Sequence, residues 1–252
     1  MSIFRLQQFS IDQSLSGMKV CSDSLLFGAM IPMDGVKRVL DIGSGTGLLA
    51  LMQAQKAHSL STFELETITA VELTHAGAQE ANKNFLASPW SKSFELIEQD
   101  IQSFAKEKDT QQTDYDLIIS NPPFFMGHSP TQQANTLRKV ARHTDTLSYD
   151  DLCRSINQLI SKEGNIYLLL PVVSIDVFIS ISKSHNLSLL TVIEIAESEK
   201  HQAKVALLWL KPAKISGAVI CRKEVIYKFD SDGNHTPHVR DYLKKYLLRY
   251  SE

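Results

Sequence analysis

Cysteine is scarce in this chain: Cys21, Cys153 and Cys221 are the only three in 252 residues. An odd number at such wide spacing builds neither a disulfide framework nor a metal-ligand pattern, which fits a reducing compartment. The histidines show no ligand spacing with cysteine or carboxylate either, so no metal is expected. Long apolar runs are missing too. Stretches such as 166–173 are far too short to cross a bilayer, and Met1-Ser2-Ile3-Phe4-Arg5 lacks the apolar core of a signal peptide. A cytoplasmic protein is expected, with no membrane partner. There is no internal repeat and no linker rich in Pro, Gly or Ser. One domain over 1–252 is therefore expected, divided into an N-terminal segment (1–35), a core (36–212) and a C-terminal extension (213–252).

What is present is ordinary globular composition, 43% hydrophobic and 21% charged. The net charge of −2 hides an uneven distribution. Residues 41–116 carry twelve acids against five bases, and residues 200–252 carry eleven bases against five acids. Such asymmetry suits a polyanionic partner on one side of the molecule, although two solvated faces of opposite sign would look the same.

From Val36 onward, apolar β-rich runs alternate with amphipathic ones. Strands are expected at 39–42, 67–73, 94–99, 116–120, 166–170, 187–195 and 205–210. Helices are expected at 48–56, 74–86 and 149–160, with another around 177–181. The near-continuous apolar strands predict a parallel sheet covered on both faces. About ten residues separate the last two runs, too few for a parallel crossover, so they are expected to form an antiparallel closing hairpin. The expected fold is α/β: a doubly wound, Rossmann-like, seven-stranded and mostly parallel sheet. Outside it, Phe4, Leu6, Phe9 and Ile11 alternate, Val225–Phe229 is strand-like, and 241–250 reads as a closing helix.

The turn Asp41-Ile42-Gly43-Ser44-Gly45-Thr46-Gly47 lies between the first core strand and a helix. Gly43 and Gly45 let a ligand approach the backbone, at the strand edge where doubly wound sheets bind ligands. The dinucleotide fingerprint needs a small residue where Leu48 stands, which disfavours a dehydrogenase, and no Gly-Lys-Ser/Thr follows to make a P-loop. A nucleoside without pyrophosphate suits the turn better. Glu72 ends the next strand and can accept two ribose hydroxyls. Asp100 ends the third and can accept from an adenine amine, with Ile101 against the ring. Asp41, Glu72 and Asp100 together suit a cationic nucleoside such as S-adenosylmethionine. Tight turns and helix caps alone are the bland alternative.

Asn121-Pro122-Pro123-Phe124 follows the strand at 116–120. A conjugated NH2 group is a poor nucleophile because its lone pair is delocalised. The Asn121 side-chain carbonyl and the Pro122 backbone carbonyl can each accept one of its N–H groups, which localises the lone pair for in-line attack. Pro123 stiffens the corner, and Phe124 can stack on the planar group. The alternative is a strand stopped by proline, with Phe124 in the core.

These residues resemble class I S-adenosylmethionine-dependent methyltransferases with an Asn/Asp-Pro-Pro-aromatic motif. The similarity narrows to the bacterial tRNA1(Val) adenine-N6-methyltransferase family. It is carried by Phe4 to Phe9 (Phe-x-x-x-Gln-Phe), Met18 to Ala29, Gly35 to Arg38, the glycine turn and its helix to Met52, Ser88-Pro89-Trp90 and Asp116 to Pro123. It runs from about residue 4 to 212. The resemblance implies S-adenosylmethionine as cofactor and methylation of the adenine just 3′ of the anticodon in a valine tRNA. By position it implies Gly43, Gly45, Glu72 and Asp100 at the cofactor, where Asp41, Ile101 and Asn121 are expected as well, with Asn121 to Phe124 holding the adenine. Lys19 and Asp23 fall in the segment that in such enzymes folds over the cofactor, though Asp23 also suits a helix cap. Two departures stand out: Phe124 replaces the tyrosine common in relatives, and 58–66 is enlarged, adding Glu64 and Glu66.

Residues 128–143 contain Arg138, Lys139 and Arg142 and no acid. A basic loop directly after the Asn-Pro-Pro-Phe corner would neutralise tRNA phosphates. The expectation is a monomeric tRNA methyltransferase. Its rivals are glutamine N5-methylation of a protein, methylation of a ribosomal RNA base, and a noncatalytic nucleic-acid-binding module.

Overall fold

A computed structural model describes residues 2–15, 19–60, 65–107, 115–122, 147–213 and 221–251. The N-terminal segment forms a small antiparallel hairpin, β1 (Ile3–Arg5) with β2 (Ser10–Asp12), then helix α1 (Ser22–Met30). The core follows as β3 (Arg38–Ile42), α2 (Leu48–His58), β4 (Thr67–Glu72), α3 (His75–Leu86), β5 (Phe94–Glu98), α4 (Ile101–Glu107) and β6 (Tyr115–Ser120). Next come α5 (Tyr149–Leu159), β7 (Ile160–Pro171), α6 (Ile175–Ser184), β8 (Leu187–Ala196) and β9 (Val205–Pro212). The C-terminal extension adds β10 (Arg222–Tyr227) and α7 (Pro237–Leu243).

Strands β3 to β10 make one sheet in the order β10-β8-β9-β7-β6-β3-β4-β5. The run from β7 through β5 is parallel. Strand β9 lies antiparallel between β7 and β8, so the expected closing hairpin is formed. The order reverses between β3 and β6, and their carboxyl ends flank the crevice where such sheets bind ligands.

Sheet size departs from expectation. Eight strands are present rather than seven, because β10 pairs in parallel with β8 and extends the edge. Its first four residues, Arg222 to Val225, are exposed, so the strand-like run expected at Val225–Phe229 shows only its second half and gives no sign that it joins the core sheet. The closing helix also sits earlier than expected, at 237–243, and only a short 3-10 turn (Leu248–Tyr250) follows. Thr236 caps it by accepting from the Val239 N–H, and Pro237 takes the first position, where a missing N–H costs nothing.

Side chains alternate between two apolar layers, as strand geometry requires. Val39, Leu117, Ile119 and Leu169 face one layer with Leu51 and Met52 of α2 and Phe27 of α1. Leu40, Ile118, Leu168 and Leu170 face the other, with Phe104 of α4, Ile156 of α5 and Phe178 of α6. The first layer is sealed from outside by the termini. Gln7 donates to the Lys244 and Leu247 carbonyls, and Gln55 donates to that of Lys245. At the C-terminus of α1, the Lys56 ammonium reaches the Gly28 and Ile31 carbonyls, the favourable end of a helix for a cation. Two cavities, of about 300 and 220 Å³, sit near that end of the molecule, and both touch Met30, Pro32 and Tyr242. The larger also touches Gln55 and Lys56 near the end of α2, roughly 10 Å or more along the helix from the glycine turn at the helix rise of about 1.5 Å per residue.

Candidate active site

The site is built where β3, β4, β5 and β6 end. After β3 the chain turns on three glycines in left-handed conformations: Gly43, Gly45 and Gly47, with φ of 70°, 52° and 79°. A Cβ at Gly43 or Gly45 would meet nothing within 4 Å, so this backbone faces open space. Gly47 is different: a Cβ there would lie 2.5 Å from the Phe85 ring. It is a packing glycine that seats α2 against α3, and it starts α2 as a left-handed N-cap. The Gly43 and Ser44 N–H groups donate to the Val71 carbonyl, tying the turn to β4.

Glu72 closes the turn from the next strand. Its Oε2 accepts from the Gly45 N–H at 2.9 Å, and its Oε1 accepts from the Thr74 N–H at 2.9 Å and the Thr74 hydroxyl at 2.7 Å. A carboxylate offers about four acceptor positions. Three are engaged, so Glu72 as it stands has room for one ribose hydroxyl; a second needs the Thr74 hydroxyl to turn away. Asp100, after β5, caps α4 by accepting from the Ser103 N–H at 2.8 Å, and that bond holds its carboxyl below the usual range. Ile101 beside it is buried.

Asp41 is fully buried at the end of β3, and neither carboxylate oxygen has a hydrogen-bond partner. Burial pushes it up to about 7, and the charge of Glu72 adds to the rise; the nearby Ala50 amide, which falls short of a hydrogen bond, offsets only part of it. A buried carboxyl without partners favours its neutral form. The folded pKa therefore lies above the unfolded one, and the folded chain binds the extra proton between roughly pH 4 and 7. This contribution makes stability fall as pH rises through that window, and the loss is complete above it. Wild type is expected to gain thermal stability over Asp41→Asn as pH is lowered from 8 to 5 without cofactor. Parallel pH profiles of the two melting temperatures would refute this.

Asn121 follows β6, whose last residue, Ser120, donates its hydroxyl to the Ile42 carbonyl at 2.7 Å. That bond fixes the end of β6 beside the start of the glycine turn. The Asn121 Nδ2 donates to the Ser24 hydroxyl of α1 at 3.0 Å, while its Oδ1 is buried without a partner. The carboxamide thus has its donor side anchored and its acceptor side unpaired. Pro122 is buried. Pro123, Phe124, Arg138, Lys139 and Arg142 lie outside the described residues, as does Glu64.

The N-terminal segment is seated on the turn. Asn84 of α3 accepts from the Asp12 N–H and donates to the carbonyls of Asp12 and Thr46. Lys19 is exposed. Asp23 is in the first turn of α1, but the N-cap is Cys21 and no side chain caps the helix. Asp23 instead pairs with the Lys228 ammonium at 2.6 Å. Sequence reading missed Ser24 and Lys228. Ser24 carried no signal beyond a place near a helix start, and Lys228 only that of a lone cation in a strand-like run. Among the described residues, no group of three or more His, Cys, Asp or Glu is placed to hold a metal, and no helix is long and apolar enough to cross a membrane.

The residues fit an S-adenosyl nucleoside: an open glycine backbone, a carboxylate with one free acceptor position, and unpartnered buried oxygens on Asp41 and Asn121. Comparison with known proteins bears on this. Residues 15–147 match the methyltransferase small domain family. A tRNA1(Val) (adenine(37)-N6)-methyltransferase from Shewanella halifaxensis is 40% identical over 74% of this chain and 71% of its own length. The protein of the same name from Tolumonas auensis is 34% identical over 98% of both chains. Among solved structures, a predicted O-methyltransferase from Agrobacterium tumefaciens superimposes with a TM-score of 0.64 at 17% identity, over 87% of this chain and 94% of the other. That likeness shows the shared class I methyltransferase fold. The family match spans just over half of the chain and the relatives align over most of it, so the chain belongs to the methyltransferase small domain family, among the tRNA1(Val) (adenine(37)-N6)-methyltransferases.

Proposed function

We propose that this chain transfers the methyl group of S-adenosylmethionine to N6 of an adenine in tRNA, the adenine just 3′ of the anticodon in a valine tRNA. The observation that carries the chemistry is the Asn121 carboxamide, with Nδ2 held by Ser24 and Oδ1 buried and free beside the glycine turn. The tRNA and the adenine rest on the names of the relatives.

Gly43, Gly45 and Glu72 bind the nucleoside, Asp100 and Ile101 frame the adenine ring, and Asp41 and Asn121 line the same crevice. Bound there, S-adenosylmethionine supplies an electrophilic methyl on sulfur. Asn121 Oδ1 and the Pro122 carbonyl accept the two N–H groups of the target amine and turn its lone pair out of conjugation. Phe124 stacks on the target base, a contact worth about 1–3 kcal/mol. The proton on nitrogen becomes acidic once the new bond forms, so no strong base is needed. Orientation supplies most of the acceleration. Arg138, Lys139 and Arg142, in the basic run that follows the corner in sequence, neutralise tRNA phosphates. The chain acts as one domain, as a monomer, in the cytoplasm and without a metal ion.

Supplied with cofactor labelled in the methyl group, the purified protein is expected to label bulk tRNA and leave release factors unlabelled. Label on a release factor and none on tRNA would replace this reading with glutamine N5-methylation. No transfer to any RNA or protein would make the chain a noncatalytic module.

A further inference from the structure

Lys228 is 3% exposed, an unusual place for an ammonium. All three of its N–H donors are engaged: by the Ser22 hydroxyl at 2.9 Å, Asp23 Oδ1 at 2.6 Å and Glu197 Oε1 at 2.6 Å. Its backbone is fixed as well. The Lys228 N–H donates to the Ala196 carbonyl at the end of β8, and its carbonyl accepts from the Thr236 N–H. Helix stability does not explain the arrangement, because a cation beside a helix N-terminus opposes the helix dipole. Neither Ser22 nor Asp23 caps α1; both turn toward Lys228. The next residue is Ser24, whose hydroxyl accepts from the Asn121 Nδ2 and lies 3.2 Å from the Cys21 sulfur. One turn of α1 therefore joins the end of β10 to the carboxamide after β6.

We propose that Lys228 and Ser24 are positioning residues: Lys228 locks the first turn of α1 to the C-terminal edge of the sheet, and Ser24 thereby fixes which way the Asn121 carboxamide faces. With Nδ2 bonded to Ser24, Oδ1 is the atom presented to the target amine. Without the anchor the amide rotates or flips, and a donor faces the N–H groups it should accept. The C-terminal extension thus takes part in catalysis without touching substrate. This inference rests on the role of Asn121 given above.

The test is steady-state methylation of tRNA by Ser24→Ala, Ser24→Thr, Lys228→Met, Lys228→Arg and the Ser24→Ala/Lys228→Met double variant. Asn121→Ala is run alongside, and binding of S-adenosylhomocysteine is measured for each. Ser24→Ala and Lys228→Met are expected to lose about 10- to 100-fold in kcat, the scale of a misplaced reacting group. The KM for tRNA and the affinity for the nucleoside stay within about twofold, because nothing at those contacts changes. Ser24→Thr and Lys228→Arg recover most of the loss. The double variant is no slower than the slower single one, since both act through the same bond. Wild-type kcat in folded Ser24→Ala overturns the proposal, as do losses that multiply in the double variant. Should Lys228→Met not fold, the Ser24 pair alone decides. If Asn121→Ala keeps its turnover, the underlying reading fails instead; if it is inactive while Ser24→Ala is normal, only this inference fails.

Discussion

Replacing Asn121 with alanine is expected to abolish measurable methyl transfer, with kcat reduced by about a hundred- to a thousandfold or more, the scale for deleting a hydrogen-bonding group at a reacting centre. The Oδ1 atom is buried and has no partner in the folded chain, a condition that costs stability unless something uses it. The target amine is what uses it. Cofactor affinity should stay within about twofold, because the glycine turn and Glu72 are untouched by the change. Thermal stability should barely fall, since the anchor to Ser24 is a single partly buried hydrogen bond. Asn121→Asp keeps an acceptor at the same place and is expected to retain part of the turnover. Tritium transfer to tRNA, read beside calorimetric binding of S-adenosylhomocysteine, separates the two effects. A variant that lost nucleoside binding but kept turnover would contradict the assigned role.

Glu72→Ala is expected to act on binding instead. Glu72 accepts the Gly45 and Thr74 N–H groups, and its removal leaves both without their acceptor at a part-buried site. The turn then loses the bond that holds Gly45 against β4. The variant also loses a charge-assisted acceptor for a ribose hydroxyl, a contact of about 1.5–3 kcal/mol, or roughly 10- to 100-fold in affinity. Disorder in the turn adds to this loss. Saturating cofactor should restore most of kcat, because Glu72 does not touch the reacting amine. Calorimetry with S-adenosylhomocysteine and kcat at rising cofactor concentration check the split. Unchanged affinity would remove Glu72 from the cofactor site.

The parts of this molecule that could be read in its sequence are those whose signal is local. Buried strands such as Ile166–Leu170 are apolar on both faces, so the core sheet and its closing hairpin were visible as runs of residues. The glycine turn was visible because left-handed backbone selects glycine. Strand β10 was legible only in its second half, as the strand-like run at Val225–Phe229; its first half, Arg222, Lys223 and Glu224, is exposed and carries the charges that protect an edge, with none of the apolar pattern that marks a sheet strand. The end of the chain misled for a similar reason: 241–250 has helical composition, but the helix begins at the Thr236 cap and stops at Leu243.

The site divides along the same line. Gly43, Gly45, Glu72 and Asn121 could be named because strand ends and turns place them by local rules. Asp23 could not be resolved between cofactor contact and helix cap. Its partner, Lys228, is 205 positions away, and only the folded sheet brings the two together. The single free acceptor position on Glu72 was equally invisible, since it depends on where the Thr74 hydroxyl points.

The reaction expected of this chain is methyl transfer to N6 of one adenine in a tRNA. It is tested most directly by incubating the purified protein with unmodified valine tRNA and S-adenosylmethionine deuterated in the methyl group, then digesting the RNA and identifying nucleosides and fragments by mass spectrometry. The expected product is N6-methyladenosine carrying the deuterated methyl, at the adenine just 3′ of the anticodon, with none formed by Asn121→Ala. A deuterated methyl on another base, or on no nucleoside at all, would contradict it.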